Sequence, residues 1–472
     1  MRRFLLQFLQ QVRQSYWFVP AVMTLGAIAL GLLMPWIDAL VGHGWLDALP
    51  FIHALEVEGA RGILSTIAGS VIGVAGVTFS IAIAAVSFAS GTYGPRLIGN
   101  FMRDRGNQFT LGTFVSAFVY CVVVMRAVQS DGIGGELEAT VPQIAVLVAM
   151  GLMLASIAVL IFFIHHVPES INIMNIAARI GADLRESVHT LFPDRDEPAR
   201  TDEPERDRPP TLEERGYRRE DMQTLYAKQT GYIQQFDLAY LDRVAEEHDL
   251  VIRVLLRPGS FVTEGDAVVR VWPRTVDDDV IEDLRGGFTI GTERTNFQDV
   301  LFLIDELVEI AARALSPGVN DPFTANACVD WLGAGLAEFA RRAPEDGLAP
   351  DGNERVVAYP VTFERVMANA WNQSRQYVAA DRNATIHAFG TLARVGQAAP
   401  DARRRDVVLE HMRVLADAAR VATEDGPRRA EIDERLQTAR RMALGEVELG
   451  ADGCVPTAIE PMRHPDQDPL AA

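Results

Sequence analysis

Residues 62–89 read GILSTIAGSVIGVAGVTFSIAIAAVSFA, with no Asp, Glu, Lys or Arg. About 20 apolar residues of helix cross a bilayer core, so this stretch predicts a transmembrane helix. At 100° per residue, Ser65, Thr66, Gly69, Gly73, Gly76, Ser80, Ala84 and Ser87 fall in one stripe, with Ile83 at its edge. The other side carries Ile63, Leu64, Ile67, Val71, Val74, Phe79 and Val86. Small residues four apart let two helix backbones approach closely. The stripe is therefore expected to pack on another helix or to line an aqueous path.

Three further stretches are long and apolar enough to span: Trp17–Val41, Phe109–Val128 and Val141–Ile164. Together they predict a four-helix transmembrane domain over 16–168. The first is not expected to be a cleavable signal, because Pro35, Trp36 and Asp38 close it instead of a small-residue cleavage site. Before it, Phe4, Leu5, Phe8, Leu9 and Val12 share one helical face. That pattern fits an interfacial helix over 1–15, or an extension of the first span. The spans hold charged residues only at their ends. This argues against a proton-driven carrier, which needs buried ionisable relays. It leaves a channel open, since hydroxyls and backbone dipoles can line a path.

Arginine placement predicts orientation. Arg2, Arg3 and Arg13 precede the first span, Arg96, Arg103 and Arg105 lie between the second and third, and Arg179 and Arg185 follow the fourth. The opposite loops carry Asp47, Glu56, Glu58, Asp131, Glu136 and Glu138, with Arg61 and Arg126 at their edges. Both termini are expected on the cytoplasmic side of a bacterial inner membrane.

Of the net charge of −19, nearly all falls beyond residue 190. So acidic a region is not expected to bind nucleic acid. Lys228 is the only lysine, and Cys121, Cys328 and Cys454 form no CxxC pair or disulfide framework. After the fourth span the reading is a helical extension over 169–192 and a charged linker over 193–224. A small α/β module over 225–292, a helical cytoplasmic domain over 293–446 and a disordered tail over 447–472 follow. The fold class is thus an α-helical membrane region joined to a mixed α+β, mostly helical, cytoplasmic region.

Within the module, RPGSFVTEGDAVVRV (257–271) resembles a hairpin of the biotinyl and lipoyl carriers but lacks their attachment lysine. No cofactor is expected. In the next segment Thr295 and Gln298 fit a capping box, and Phe297, Leu301, Ile304, Leu307, Val308, Ala311 and Leu315 fit a buried helix face. Asp299, Asp305, Glu306, Glu309 and Arg313 then read as a solvated face, or less simply as an acidic ion-binding cluster. His165 and His166 close the fourth span, with Glu169 following. Adjacent histidines point about 100° apart on a helix, which favours interfacial packing over a metal site or pH switch.

The strings SFASGTYGPRLIGNFMRDRGNQFTLGTFVSAFVY (87–120), FIHHVPESINIM (163–174), PGSFVTEG (258–265) and RTNFQDVLFLIDELVEIAARALSPGVNDPFTA (294–325) resemble a bacterial membrane-protein family, domain of unknown function 2254. The resemblance covers roughly residues 10–440 and implies four membrane helices with a cytoplasmic domain. It marks Pro95, Arg96, Asn107, Gln108, His165, His166, Arg294, Asp299, Asn320, Asp321 and Pro322 as hallmark positions without assigning them a role. No Walker loop, GxGxxG after a strand, GxSxG or HExxH is present, so no enzyme is expected. The best reading is a homo-oligomeric channel or permeation protein gated through its cytoplasmic domain. The alternative is a non-conducting membrane scaffold or sensor that binds a partner.

Overall fold

A computed structural model of the chain describes residues 16–41, 55–94, 96–128, 141–192, 216–342, 355–358 and 361–447. The expected interfacial helix (1–15), most of the charged linker (193–215), the tail beyond 447, both acidic loops (42–54 and 129–140) and Pro95 lie outside the described residues. The chain divides into two units, Met1–Asn175 and Ile176–Ala472.

The first unit is helical: α1 (Phe18–Val41), α2 (Val57–Tyr93), α3 (Arg96–Arg103), α4 (Arg105–Met125) and α5 (Gln143–Ile171). All but α3 are long and apolar enough to cross a membrane. With 37 residues at 1.5 Å each, α2 runs about 55 Å, well beyond the roughly 30 Å of a hydrocarbon core. Its buried side chains Leu64, Ile67, Val71, Phe79 and Val86 pack with Phe114, Tyr120 and Val124 of α4 and Val146 and Phe163 of α5.

The close helix contact inside this unit is between α1 and α4. A Cβ on Gly31 would lie 2.9 Å from Val123 Cγ1, and one on Gly112 would lie 2.5 Å from Met23 Sδ. Both glycines let side chains of the facing helix reach the backbone. Asp38, placed by its sequence at the end of the first span, is only 4% exposed. Its Oδ2 accepts from the Ala145 amide at 3.0 Å, in the first turn of α5, where the helix dipole favours a carboxylate. Tyr120 donates to the Ala145 carbonyl at 3.0 Å.

The second unit opens with the rest of α6 (Ile173–Leu191). Continuous helix was expected from Ser170, but Asn172 interrupts it and its side chain accepts from the Met174 amide. Strands β1 (Gln223–Tyr226), β2 (Gly231–Phe236), β3 (Val251–Val254), β4 (Phe261–Val262), β5 (Ala267–Trp272) and β6 (Phe288–Gly291) enclose α7 (Leu238–Glu247) and α8 (Asp278–Arg285). They form two sheets, β1-β5-β3-β7 and β4-β2-β6, over one core containing Ile233, Leu241, Ile252, Val269 and Leu284. Gly259 (φ 85°) and Gly265 (φ 92°) take positive φ in the turns within the 257–271 hairpin segment. The fourth strand of the first sheet, β7 (Val356–Val357), pairs parallel to β3 from a hundred residues on, a partnership that short local periodicity does not reveal.

The remaining helices are α9 (Val300–Ala314), α10 (Pro322–Arg342), α11 (Phe363–Ala380), α12 (Arg382–Ala398), α13 (Ala402–Ala422) and α14 (Gly426–Ala443). Their starts follow ordinary capping chemistry. Asp299, Thr362, Asp381 and Asp401 each accept from an amide in the first turn.

The capping box expected from Thr295 and Gln298 is not formed. Asp299 caps α9, while Gln298 exchanges two hydrogen bonds with the backbone of Phe236 on β2, at 2.9 and 3.0 Å. Phe297, expected in the buried face, is 66% exposed because it precedes the helix. The expected solvated face is corrected too: Asp299 and Glu306 are buried. Glu309 and Arg313 pair at 3.2 Å as their spacing suggests.

Candidate functional site

The stripe on α2 points away from its own protomer. All eight of its residues, Ser65, Thr66, Gly69, Gly73, Gly76, Ser80, Ala84 and Ser87, are exposed. A Cβ added to Gly69, Gly73 or Gly76 meets nothing within 4 Å. The helix thus has a packed face of large side chains and, opposite it, an open face with almost no side-chain bulk. Val77, Ile81 and Phe88 flank the open face and are exposed as well. Val74, read with the large-residue side, is also exposed at 39%. The Thr66 and Ser80 hydroxyls donate to the carbonyls of Gly62 and Gly76, both at 2.7 Å, so their protons are satisfied within the helix while their lone pairs remain outward.

Several hallmark residues meet at the α3–α4 corner. Asn107 and Gln108 are buried and donate to the Phe101 and Met102 carbonyls at 3.1 and 3.0 Å, closing the end of α3. Asp104 caps α4 through the Asn107 amide and lies 2.6 Å from His166 Nε2. The fit requires Gly106, because a Cβ there would sit 2.6 Å from the same imidazole nitrogen. His166 also stacks on Phe162, with ring centroids 4.9 Å apart. His165 is exposed and turns back to the Ile161 carbonyl, so the two histidines diverge. Arg96 is the first residue of α3. Sequence reading missed Asp104, although an Asp ahead of an apolar helical run is an N-cap signal.

In the second unit Arg294 is the centre of a polar node. Its Nε and Nη2 reach Asp299 Oδ2 at 2.9 and 2.7 Å, and its Nη1 reaches Asp305 Oδ2 at 2.6 Å. Asp305 Oδ1 accepts from Asn369 at 2.7 Å and Gln373 at 3.2 Å, one turn apart on α11. The acidic pair read from sequence as a possible ion-binding cluster is therefore held by an arginine. Burial pushes the Asp299 carboxyl above the usual carboxylate range, against the pull of Arg294. Arg294 itself is raised, because two carboxylates outweigh its own desolvation.

Asn320, Asp321 and Pro322 make the α9–α10 corner. Asn320 takes φ 51°, a conformation Asn tolerates better than most residues, and Asp321 caps α10 through the Thr324 amide and hydroxyl. Pro322 begins α10, where its missing amide proton costs nothing. Nearby Cys328 is buried and its thiol is pushed up to about 12, which makes it a poor nucleophile. Among the described residues no group of three His, Cys, Asp or Glu converges as metal ligands would.

Four helices long and apolar enough to cross a membrane, with a mixed helix–strand unit, define the class as a helical membrane protein. The family described as "Predicted membrane protein (DUF2254)" matches residues 13–394, and the chain belongs to it. Uncharacterized proteins of Mycobacterium bovis and Mycobacterium tuberculosis are each 29% identical over 381 residues, covering 79% of this chain and 70% of the relative. No solved structure matches the chain.

The Arg294 node makes a stability prediction. Arg294→Met leaves Asp299, 3% exposed, without its cation. Breaking a buried pair costs about 3–5 kcal/mol, and the lower end, about 3, suits an arginine still in partial contact with water. The pH sign follows from Asp299. Without Arg294 its folded pKa rises further above the unfolded value of about 3.9. The deficit against the parent is then largest above that folded pKa and shrinks as pH falls towards 3.9. Hydrogen exchange of α9 in the full-length protein at two pH values reads both effects. A variant whose α9 protection equals the parent's at neutral pH would show that the node does not stabilise the fold.

Proposed function

We propose that this chain is a homo-oligomeric channel or permeation protein of the bacterial inner membrane, in which the open face of α2 meets other copies or the conduction path. The observation that carries this reading is the exposure of the whole small-residue stripe on the side away from the buried Leu64, Ile67, Val71, Phe79 and Val86. In lipid, a face without bulk gains little from surrounding acyl chains and allows close backbone contact with another helix. Outward lone pairs on Thr66 and Ser80 suit a path for ions or water. A scaffold or sensor is the second reading, favoured by the same hydroxyls having their protons satisfied internally. We read the chain as a non-enzyme that binds no nucleic acid, on the strength of its missing catalytic motifs and its acidic second unit. Gating through that unit belongs to the same proposal.

Arginine distribution supports both termini and the second unit facing the cytoplasm. A periplasm-active reporter fused at the C-terminus is expected to be silent, and one inserted at 42–54 active. The reverse pattern would overturn this orientation.

Gly73→Leu places a branched side chain on the open face. Overpacking in a close interface costs typically about 1–3 kcal/mol. If the stripe packs against other copies, the variant dissociates on size exclusion. If it lines a path, assembly survives and current through reconstituted protein falls. Val74→Leu, about 100° round the helix, is expected to change neither. Silence of the parent protein under voltage, tension and pH steps would leave the scaffold reading, and equal behaviour of the two variants would remove the stripe from either role.

A further inference from the structure

Helix α3 lies between two membrane-length helices, α2 and α4, and its rotation about its own axis is fixed. Phe101 is buried in the core with Val86 of α2 and Phe163 and Val167 of α5. The Phe101 and Met102 carbonyls at its end are held by the Asn107 and Gln108 side chains of α4. With Phe101 turned inward, Ile98 and Met102, one turn apart, form an exposed apolar edge. Phe109, in the first turns of α4, is exposed as well. At 100° per residue, positions 96, 99 and 103 share the side of the helix opposite Phe101. The Ile98–Met102 edge lies between the two sides. A Cβ on Gly99 would meet nothing within 4 Å, so the helix surface between positions 96 and 103 is open.

This corner is basic. Residues 87–120 contain Arg96, Arg103 and Arg105 against a single acidic residue, Asp104. Asp104 is committed to the Asn107 amide and to His166. Arg105 is exposed, and among the described residues it has no ion-pair partner. A helix with a buried anchor, an apolar edge and an arginine side fits the plane where acyl chains give way to headgroups. Guanidinium matches the oxygens of a phosphodiester. A zwitterionic headgroup brings its own cation to that phosphate, so the net charge of the corner favours an anionic lipid.

We propose that α3 is an interfacial helix that binds anionic phospholipid headgroups, with Arg96, Arg103 and Arg105 supplying the charge and Gly99 the room between them. The site stands whether the membrane helices conduct or only anchor. Full-length protein with Cys121, Cys328 and Cys454 replaced carries an NBD fluorophore at Met102→Cys or, in a second sample, at Ile98→Cys. It is reconstituted in vesicles of phosphatidylglycerol and phosphatidylcholine in equal amounts, with one or the other lipid nitroxide-labelled near the top of its acyl chain. Both lipids are expected to quench, and labelled phosphatidylglycerol is expected to quench more. The preference is expected to shrink as salt is raised, a response of the parent chain that needs no further variant. Each of Arg96→Gln, Arg103→Gln and Arg105→Gln is expected to lower it by up to about fivefold, the effect of one arginine at an anionic surface. Unchanged melting of the variants separates lost binding from lost fold. A fluorophore at Leu154→Cys, on an exposed position of α5, is expected to be quenched equally by the two lipids. No quenching at 98 and 102, equal quenching by both lipids there, a preference indifferent to salt, or one as strong at 154 would overturn the proposal.

Discussion

Inside a bilayer, apolar side chains gain nothing by leaving lipid for another helix, so helix association depends on how closely backbones approach and on polar groups that must be satisfied. The first unit is arranged around that constraint. Gly31 and Gly112 allow α1 and α4 to meet closely. Leu64, Ile67, Val71, Phe79 and Val86 of α2 go to the same core, while its small-residue face is left outside. A chain that already has its close internal contact elsewhere does not need the α2 stripe for its own folding, and this is why the stripe points to assembly or permeation.

Buried polar groups set the helix ends. Asp38 reaches an amide of α5 from α1. Gln143 exchanges two hydrogen bonds with the Leu55 backbone ahead of α2. Asn107 and Gln108 close α3, and Asp104 joins the start of α4 to His166 near the end of α5. Asp38, Asn107 and Gln108 thereby satisfy backbone groups that helix geometry leaves open. The second unit uses the same economy with charge: Arg294 compensates two carboxylates at once and fixes α9 against α11. Arg294 and Asp299 thus act as braces within that unit.

The four spans, the small α/β module and the helical character of the segment after it were legible because each rests on local periodicity, a cap or a glycine turn. The stripe on α2 was legible as a pattern, but its outward direction was not, since hydrophobicity alone does not say which face of an apolar helix meets its neighbours. Thr295 and Gln298 misled because a capping box and a reach across to β2 use the same residue types. Asp299 and Asp305 looked solvated because their compensating partners, Arg294, Asn369 and Gln373, are joined by tertiary packing. The parallel strand at Val356–Val357 depends on a partner about a hundred residues away in the chain.

Cross-linking in native membranes tests the central claim, that the open face of α2 meets other copies, most directly. In a chain with Cys121, Cys328 and Cys454 replaced, single substitutions Gly73→Cys, Ser80→Cys and Val74→Cys are oxidised before solubilisation. The account predicts covalent dimers through positions 73 and 80 and few through 74. Dimers through 74 alone, or none at 73 and 80, would contradict it.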